Sequence, residues 1–108
     1  NLCCCHNDLV VANIVSCPNP KFLDFEYAAD NDPLFDLATV AEHHDLPENL
    51  AECLLDAYFA ADSARWRAQF EQQRLLYAAL RCLWLGARPD ATDADVQRVV
   101  LRVVTIDS

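Results

Sequence analysis

Cys5-His6-Asn7-Asp8-Leu9-Val10-Val11-Ala12-Asn13, followed by Asp24-Phe25-Glu26, is the stretch that decides how the rest of the chain is read. An H-x-D-x-x-x-x-N string places an Asp where it can accept a hydroxyl proton and, five residues on, an Asn whose carbonyl oxygen can reach a metal ion. Asp8 and Asn13 stand at those positions. A second metal ligand in such a site comes from an Asp just past a short hairpin, and Asp24 has that spacing. Leu2 to Cys5 reads as a short apolar strand that delivers the loop. Ile14-Val15-Ser16 and Phe22-Leu23 are β-prone arms on either side of Cys17-Pro18-Asn19-Pro20-Lys21, a proline-punctuated turn. Such a hairpin sets Asn13, at the start of one arm, beside Asp24, at the end of the other, as two ligands of one divalent ion require. Glu26, two residues beyond Asp24 on the same side of an extended strand, is expected to support a second ion or its water shell.

Three motifs carry a family resemblance: His6-Asn7-Asp8 with Asn13, Leu23-Asp24-Phe25-Glu26-Tyr27, and Asn31-Asp32-Pro33-Leu34-Phe35-Asp36-Leu37. In this order they resemble the choline/ethanolamine kinase branch of the aminoglycoside-phosphotransferase-like kinases, with thiamine kinases close by. The resemblance is specific over residues 3 to about 44. Asn7, where antibiotic kinases of that superfamily usually carry Gly, points to the choline/thiamine side, whereas Val11-Ala12 departs from the Pro-Gly or Glu-Gly often found before the Asn.

The resemblance implies the C-terminal lobe of a protein-kinase-like fold, mainly α with a small β-hairpin, using ATP and Mg²⁺. It implies Asp8 as the catalytic residue and Asn13, Asp24 and Glu26 as metal residues. His6 and Asp36 would support the loop, Asp36 by accepting backbone hydrogen bonds. In that family a preceding lobe supplies a glycine-rich phosphate loop and a nucleotide-contacting Lys. The only Gly here is Gly86 and the only Lys is Lys21. The expected plan is therefore one domain over 1–108, a catalytic C-lobe with a loop and metal-binding hairpin over 1–30, a helical subdomain over 31–108, and no N-terminal lobe.

Residues 1–62 hold twelve of the seventeen acids and only Lys21 among the bases, while all seven Arg lie from Arg65 onward, for a net charge of −9. That balance argues against nucleic acid as a partner. It suits either a site for Mg²⁺ and a cationic alcohol or simply a solvated acidic surface. There is no signal peptide and no apolar run long enough to cross a bilayer, so a cytoplasmic protein away from membranes is expected. None of the six cysteines forms a C-x-x-C pair. Cys3, Cys4 and Cys5 point alternately to opposite strand faces and cannot converge on one ion. They read as small apolar residues of a buried strand.

Asp32-Pro33 is a helix start, with Asp as N-cap, Pro in the first turn and an apolar face through Leu34, Leu37, Ala38 and Ala41, ending near His43-His44. Asp45-Leu46-Pro47-Glu48 offers a second start of capping-box type, with a helix to about Ala61. A third, long helix begins at Asp62-Ser63 and stops at Gly86. Its stripe is Trp66, Phe70, Gln73, Tyr77, Leu80 and Trp84. A last helix is expected from Thr92, on Val96, Val99, Val100, Val103 and Val104.

A quaternary ammonium would be met by aromatic faces and carboxylates. Trp84, Tyr77 and Trp66 are candidates for this contact, with Trp84 and Tyr77 taken as substrate-binding, the resemblance favouring Trp84 because choline kinases carry a W-x-x-W-like pair in a late helix. Ala87 stands where the second Trp would fall. Trp66 and Tyr77 also suit a core stripe, and His43-His44 suits the negative end of a helix. Two functions stay open: an ATP-dependent phosphotransferase for the hydroxyl of choline, ethanolamine or thiamine, or a non-catalytic helical interaction module that keeps the motif as a relic.

Overall fold

In the computed structural model, residues 2–16, 18–87, 90, 92–94, 97 and 101 are described, without the side chain of Ala61. Strand β1 (Cys3–Cys5) enters the loop, a 3-10 turn covers Val11–Asn13, and β2 (Ile14–Val15) pairs antiparallel with β3 (Lys21–Phe22). The pairing aligns Ile14 with Phe22 and Val15 with Lys21, and Leu23 N–H donates to Asn13 C=O at 2.8 Å. This is the hairpin expected from the two β-prone arms, and it sets Asn13 opposite the residue before Asp24.

A fourth strand, β4 (Ala29–Asn31), was not expected. It lies antiparallel to β1, with Cys3 opposite Asn31 and Cys5 opposite Ala29. Ala-Asp-Asn has poor β propensity, so only this partner reveals it. The cysteine strand is also less buried than its composition suggested. Cys5 is buried, but Cys3 and Cys4 are exposed. Burial, with help from Cys3, pushes the Cys5 thiol up to about 12. Among the described residues no group of three His, Cys, Asp or Glu side chains could hold a metal.

Helix α1 (Pro33–His43) starts as its sequence dictates: Asp32 accepts from Leu34 N–H at 2.9 Å and Pro33 occupies the first turn. It stops where Asp45 takes a left-handed φ of 55°, with Leu46 N–H donating back to Ala41 C=O at 3.0 Å. Asp45 therefore closes α1 rather than capping the next helix. Helix α2 (Glu48–Phe59) follows Pro47 with no side-chain cap, so the expected capping box is not formed. A 3-10 turn at Ala60–Asp62 leads into α3 (Ser63–Ala87), which carries Gly86 inside its last turn. The last helix expected from Thr92, with its Val stripe, lies mostly outside the described residues.

The core is Leu34, Ala38 and Ala41 of α1, Ala51 and Leu55 of α2, and Phe70 of α3, with Leu37, Phe59 and Trp66 packed against it. Small residues on α1 let the helices approach closely. Trp66 stacks on Phe59 with centroids 5.2 Å apart. The predicted α3 stripe needs correction, because the residues α3 buries are Phe70, Arg74, Ala78 and Leu85, while Leu80 and Trp84 are exposed. Arg74 holds the place an apolar side chain would have taken. Its Nε donates to buried Glu42 at 2.6 Å, and its other nitrogens reach Glu48 at 3.0 Å and Glu71 at 3.2 Å. Burial alone would lower the guanidinium, but the hydrogen bonds it donates to Glu48 and Glu42 outweigh it and the net shift is upward. One ion cluster thus ties α1, α2 and α3.

Candidate active site

The loop after β1 is short, polar and braced at nearly every residue. Asn7 has φ 70°, a left-handed conformation that Gly adopts freely and Asn tolerates better than most side chains. Its side chain then works as a clamp. The amide donates to Tyr27 C=O at 2.9 Å and Ala29 C=O at 3.4 Å, and its oxygen accepts from Asn31 at 3.0 Å. Asn31 in turn accepts from Asp32 N–H at 2.8 Å, so the clamp reaches the cap of α1.

Asp36, in the first turn of α1, accepts from His6 N–H and Asn7 N–H, each at 2.8 Å. Two charge-assisted bonds from one carboxylate fix the peptide direction just before Asp8. His6 is buried between the loop and the hairpin. Its Nδ1 accepts from Asp8 N–H at 3.1 Å and its Nε2 donates to Leu23 C=O at 2.7 Å. A backbone N–H can only donate and a carbonyl only accept, so these partners specify the Nε2–H tautomer. Its ring also lies 4.6 Å from that of Phe25. From the far side, Val11 N–H donates to His43 Nδ1 at 3.3 Å and His44 donates to Leu9 C=O at 3.2 Å. The two histidines at the end of α1 are therefore loop braces. Burial, then the charges of Arg81 and His44, lowers the pKa of His43, against a smaller upward pull from Asp8.

Within this frame Asp8 and Asn13 meet. The Asn13 amide donates to the Asp8 carboxylate at 3.1 Å and to Asp8 C=O at 2.9 Å. With its NH₂ engaged, Asn13 has a side-chain oxygen that could serve a metal ion. Asp24 sits at the end of the hairpin with φ 61°, a conformation that costs a non-glycine residue of order 1–3 kcal/mol and recurs at ligand-holding positions. The extended segment expected from Asp24 to Glu26 is not present. The chain turns there, with Glu26 N–H donating to Asp24 Oδ1 at 3.4 Å and Ala28 N–H to Phe25 C=O at 3.0 Å. The same-face argument for Glu26 therefore fails, and Glu26 contacts Asp24 through its backbone. Two oxygen donors, Asn13 and Asp24, fit Mg²⁺, which keeps several waters and binds one or two protein oxygens plus phosphate.

Asp8 opens onto a cleft of about 770 Å³ whose walls include Tyr27, His43, Tyr77, Arg81 and Trp84. Of the three aromatic candidates, Tyr77 and Trp84 line it, whereas Trp66 packs on Phe59 in the core. Tyr77 also meets Phe35 edge-on at 6.1 Å. Burial raises its hydroxyl, Arg81 opposes that, and Asp8 and Glu42 add to it. Arg81, Asn31, His43 and His44 were missed as site residues. Only the spacing of Arg81 from Tyr77 and Trp84, one helical turn each way, could have signalled its place.

Comparison with known proteins gives the same direction. Two Haemophilus influenzae sequences of Protein LicA, one from strain Rd, are each 38% identical to this chain over 68 residues. The match covers 62% of the chain but only 26% and 20% of the two relatives, so the chain spans about a quarter of one and a fifth of the other. No solved structure matches. The phosphotransferase enzyme family model matches residues 1–69, which takes in the braced loop, the hairpin, α1 and α2, and the chain belongs to that family.

Proposed function

We propose that the chain carries the hydroxyl-activating and metal-binding part of an ATP-dependent phosphotransferase acting on a small alcohol of the choline, ethanolamine or thiamine kind. The observation that carries this reading is Asp8, held by Asn13 at the mouth of a cleft that also presents Tyr77 and Trp84. The Asp8 carboxylate orients the alcohol and accepts its proton. The alcohol oxygen bonds to the γ-phosphorus as the bond from that phosphorus to the bridging oxygen breaks, and ADP leaves with the electron pair. Asn13 and Asp24 would hold Mg²⁺, which supplies charge compensation at the phosphates when bound. His6, Asp36, His43 and His44 act earlier, by keeping the Asp8 backbone in one geometry. The glycine-rich clamp and lysine for the nucleotide would come from a partner lobe outside these 108 residues, in keeping with the small share of the relatives that the chain spans. Use of ATP would suit a cytoplasmic reaction; no described helix is long and apolar enough to cross a membrane.

The test is an ADP-release assay on the full-length polypeptide containing this segment, with choline, ethanolamine and thiamine as acceptors. Alcohol-dependent ADP release, abolished by EDTA and restored by Mg²⁺, is the expected result. No alcohol-dependent release with any of the three would refute the reading.

A further inference from the structure

Arg65 pairs with Asp62, Arg67 with Glu52, and Arg74 with three glutamates. Arg81 differs from them: among the described residues it makes no ion pair, and it lines the cleft that Asp8 opens onto. It follows Tyr77 by four residues and precedes Trp84 by three, so all three occupy one face of α3 and meet the same part of whatever the cleft holds. Asp8 is the one acidic residue among the described lining residues, and Arg81 the one Lys or Arg. The two charges act on the same intervening groups: Arg81 lowers and Asp8 raises both His43 and Tyr77.

This charge pattern does not suit a bare quaternary ammonium. Such a ligand wants aromatic faces backed by carboxylates, and here the single carboxylate is committed to the hydroxyl while the aromatic wall carries a guanidinium. A guanidinium presents a planar fork of donors that matches a carboxylate or phosphate. In a chain of net charge −9, an arginine among the described residues of a wall built chiefly of Tyr27, Tyr77, Leu80, Trp84 and Leu85 is a local reversal of sign.

We propose that Arg81 recognises an anionic group on the acceptor, so that the alcohol bound in this cleft carries a carboxylate or phosphate at the end remote from its reacting hydroxyl. This rests on reading the cleft as the acceptor site of a phosphotransferase for small alcohols, and it moves the preferred acceptor from choline, ethanolamine or thiamine, none of which carries an acid group, to an alcohol that does. A zwitterion fits both features of the wall, its ammonium meeting Tyr77 and Trp84 and its acid group meeting Arg81.

Two pairs of probes isolate the acid group: L-serine against ethanolamine, which differ by one carboxylate on the amine-bearing carbon, and L-carnitine against choline, which differ by a carboxymethyl group on the carbinol carbon. Isothermal titration of the full-length polypeptide without ATP should show the carboxylated member of each pair binding about 10- to 100-fold more tightly, the size of one charge-assisted hydrogen-bonded contact. Arg81→Met should abolish or reverse that preference, and Arg81→Lys should retain part of it, which shows that the site is still folded. Equal or tighter binding of ethanolamine and choline by the native protein, or a preference unchanged in Arg81→Met, overturns the proposal. So does an Arg81→Met variant that loses kcat equally for all four alcohols with binding preferences intact, because the arginine would then face the transferred phosphoryl group. The titration needs no turnover, so the absence of phosphotransfer together with a carboxylate preference would sink the proposed reaction and leave this inference standing.

Discussion

Between Cys3 and Asn31 only Cys5, His6 and Asn13 are buried among the described residues, while α1 to α3 bury Leu34, Ala38, Ala41, Ala51, Leu55, Phe70 and a complete arginine. The first region has little apolar area to stabilise it. It is held by discrete hydrogen bonds to groups on α1, and it contains two non-glycine residues in left-handed conformations, Asn7 and Asp24. The second is held by close packing of small residues and one ion cluster. The difference teaches that the loop borrows its rigidity: the helices fold around their own core, and α1 then presents Asp36, His43 and His44 to fix a segment that could not fix itself.

The largest effect should come from breaking the helical region at its least replaceable point. Arg74→Met leaves buried Glu42 without its guanidinium, and removing one partner of a buried pair costs about 3–5 kcal/mol. Thermal or denaturant unfolding should show a loss of that size, and the double variant with Glu42→Leu should recover much of it. A loss below about 1 kcal/mol would mean that the cluster is solvated and does not tie the helices.

Asp36→Ala should separate the two regions. It orphans two backbone N–H groups of the loop, and losing hydrogen bonds to a charged, half-buried acceptor costs about 2 kcal/mol, less than the Arg74 change. The helical circular dichroism should persist while phosphotransfer by the full-length polypeptide falls by about 100-fold, because Asp8 loses its fixed position. If helicity collapsed with activity, the loop would be part of the folding core and the comparison would fail.

These contrasts also explain what could be read in the sequence. The start of α1 was legible because Asp32-Pro33 is a local signal, and the hairpin because β-prone residues flank a proline turn. Asp8 and Asn13 were legible as neighbours because a tight loop fixes the spacing of its functional side chains. Strand β4 was not, since Ala29 to Asn31 pair with residues some 26 positions away and have no propensity of their own. Arg74 could not be seen as core, because a charged residue counts against burial until its carboxylates, drawn from two other helices, are known. The same holds for His43 and His44, whose bonds to Val11 and Leu9 exist only in three dimensions. The extended reading from Asp24 to Glu26 failed on one torsion: a left-handed Asp24 turns the chain that it kept straight.

Asp8 is the residue on which the proposed phosphoryl transfer depends most directly. In the full-length polypeptide, Asp8→Asn keeps an oxygen within reach of Asn13 but removes the proton acceptor. Steady-state kinetics should show kcat reduced by about 10²- to 10⁴-fold with KM for the alcohol changed only slightly, since the carboxylate acts on the hydroxyl in the transition state while ground-state contacts persist. A variant that kept kcat near the native value, or that lost activity only through a raised KM, would contradict the assignment of this loop as the site of phosphoryl transfer.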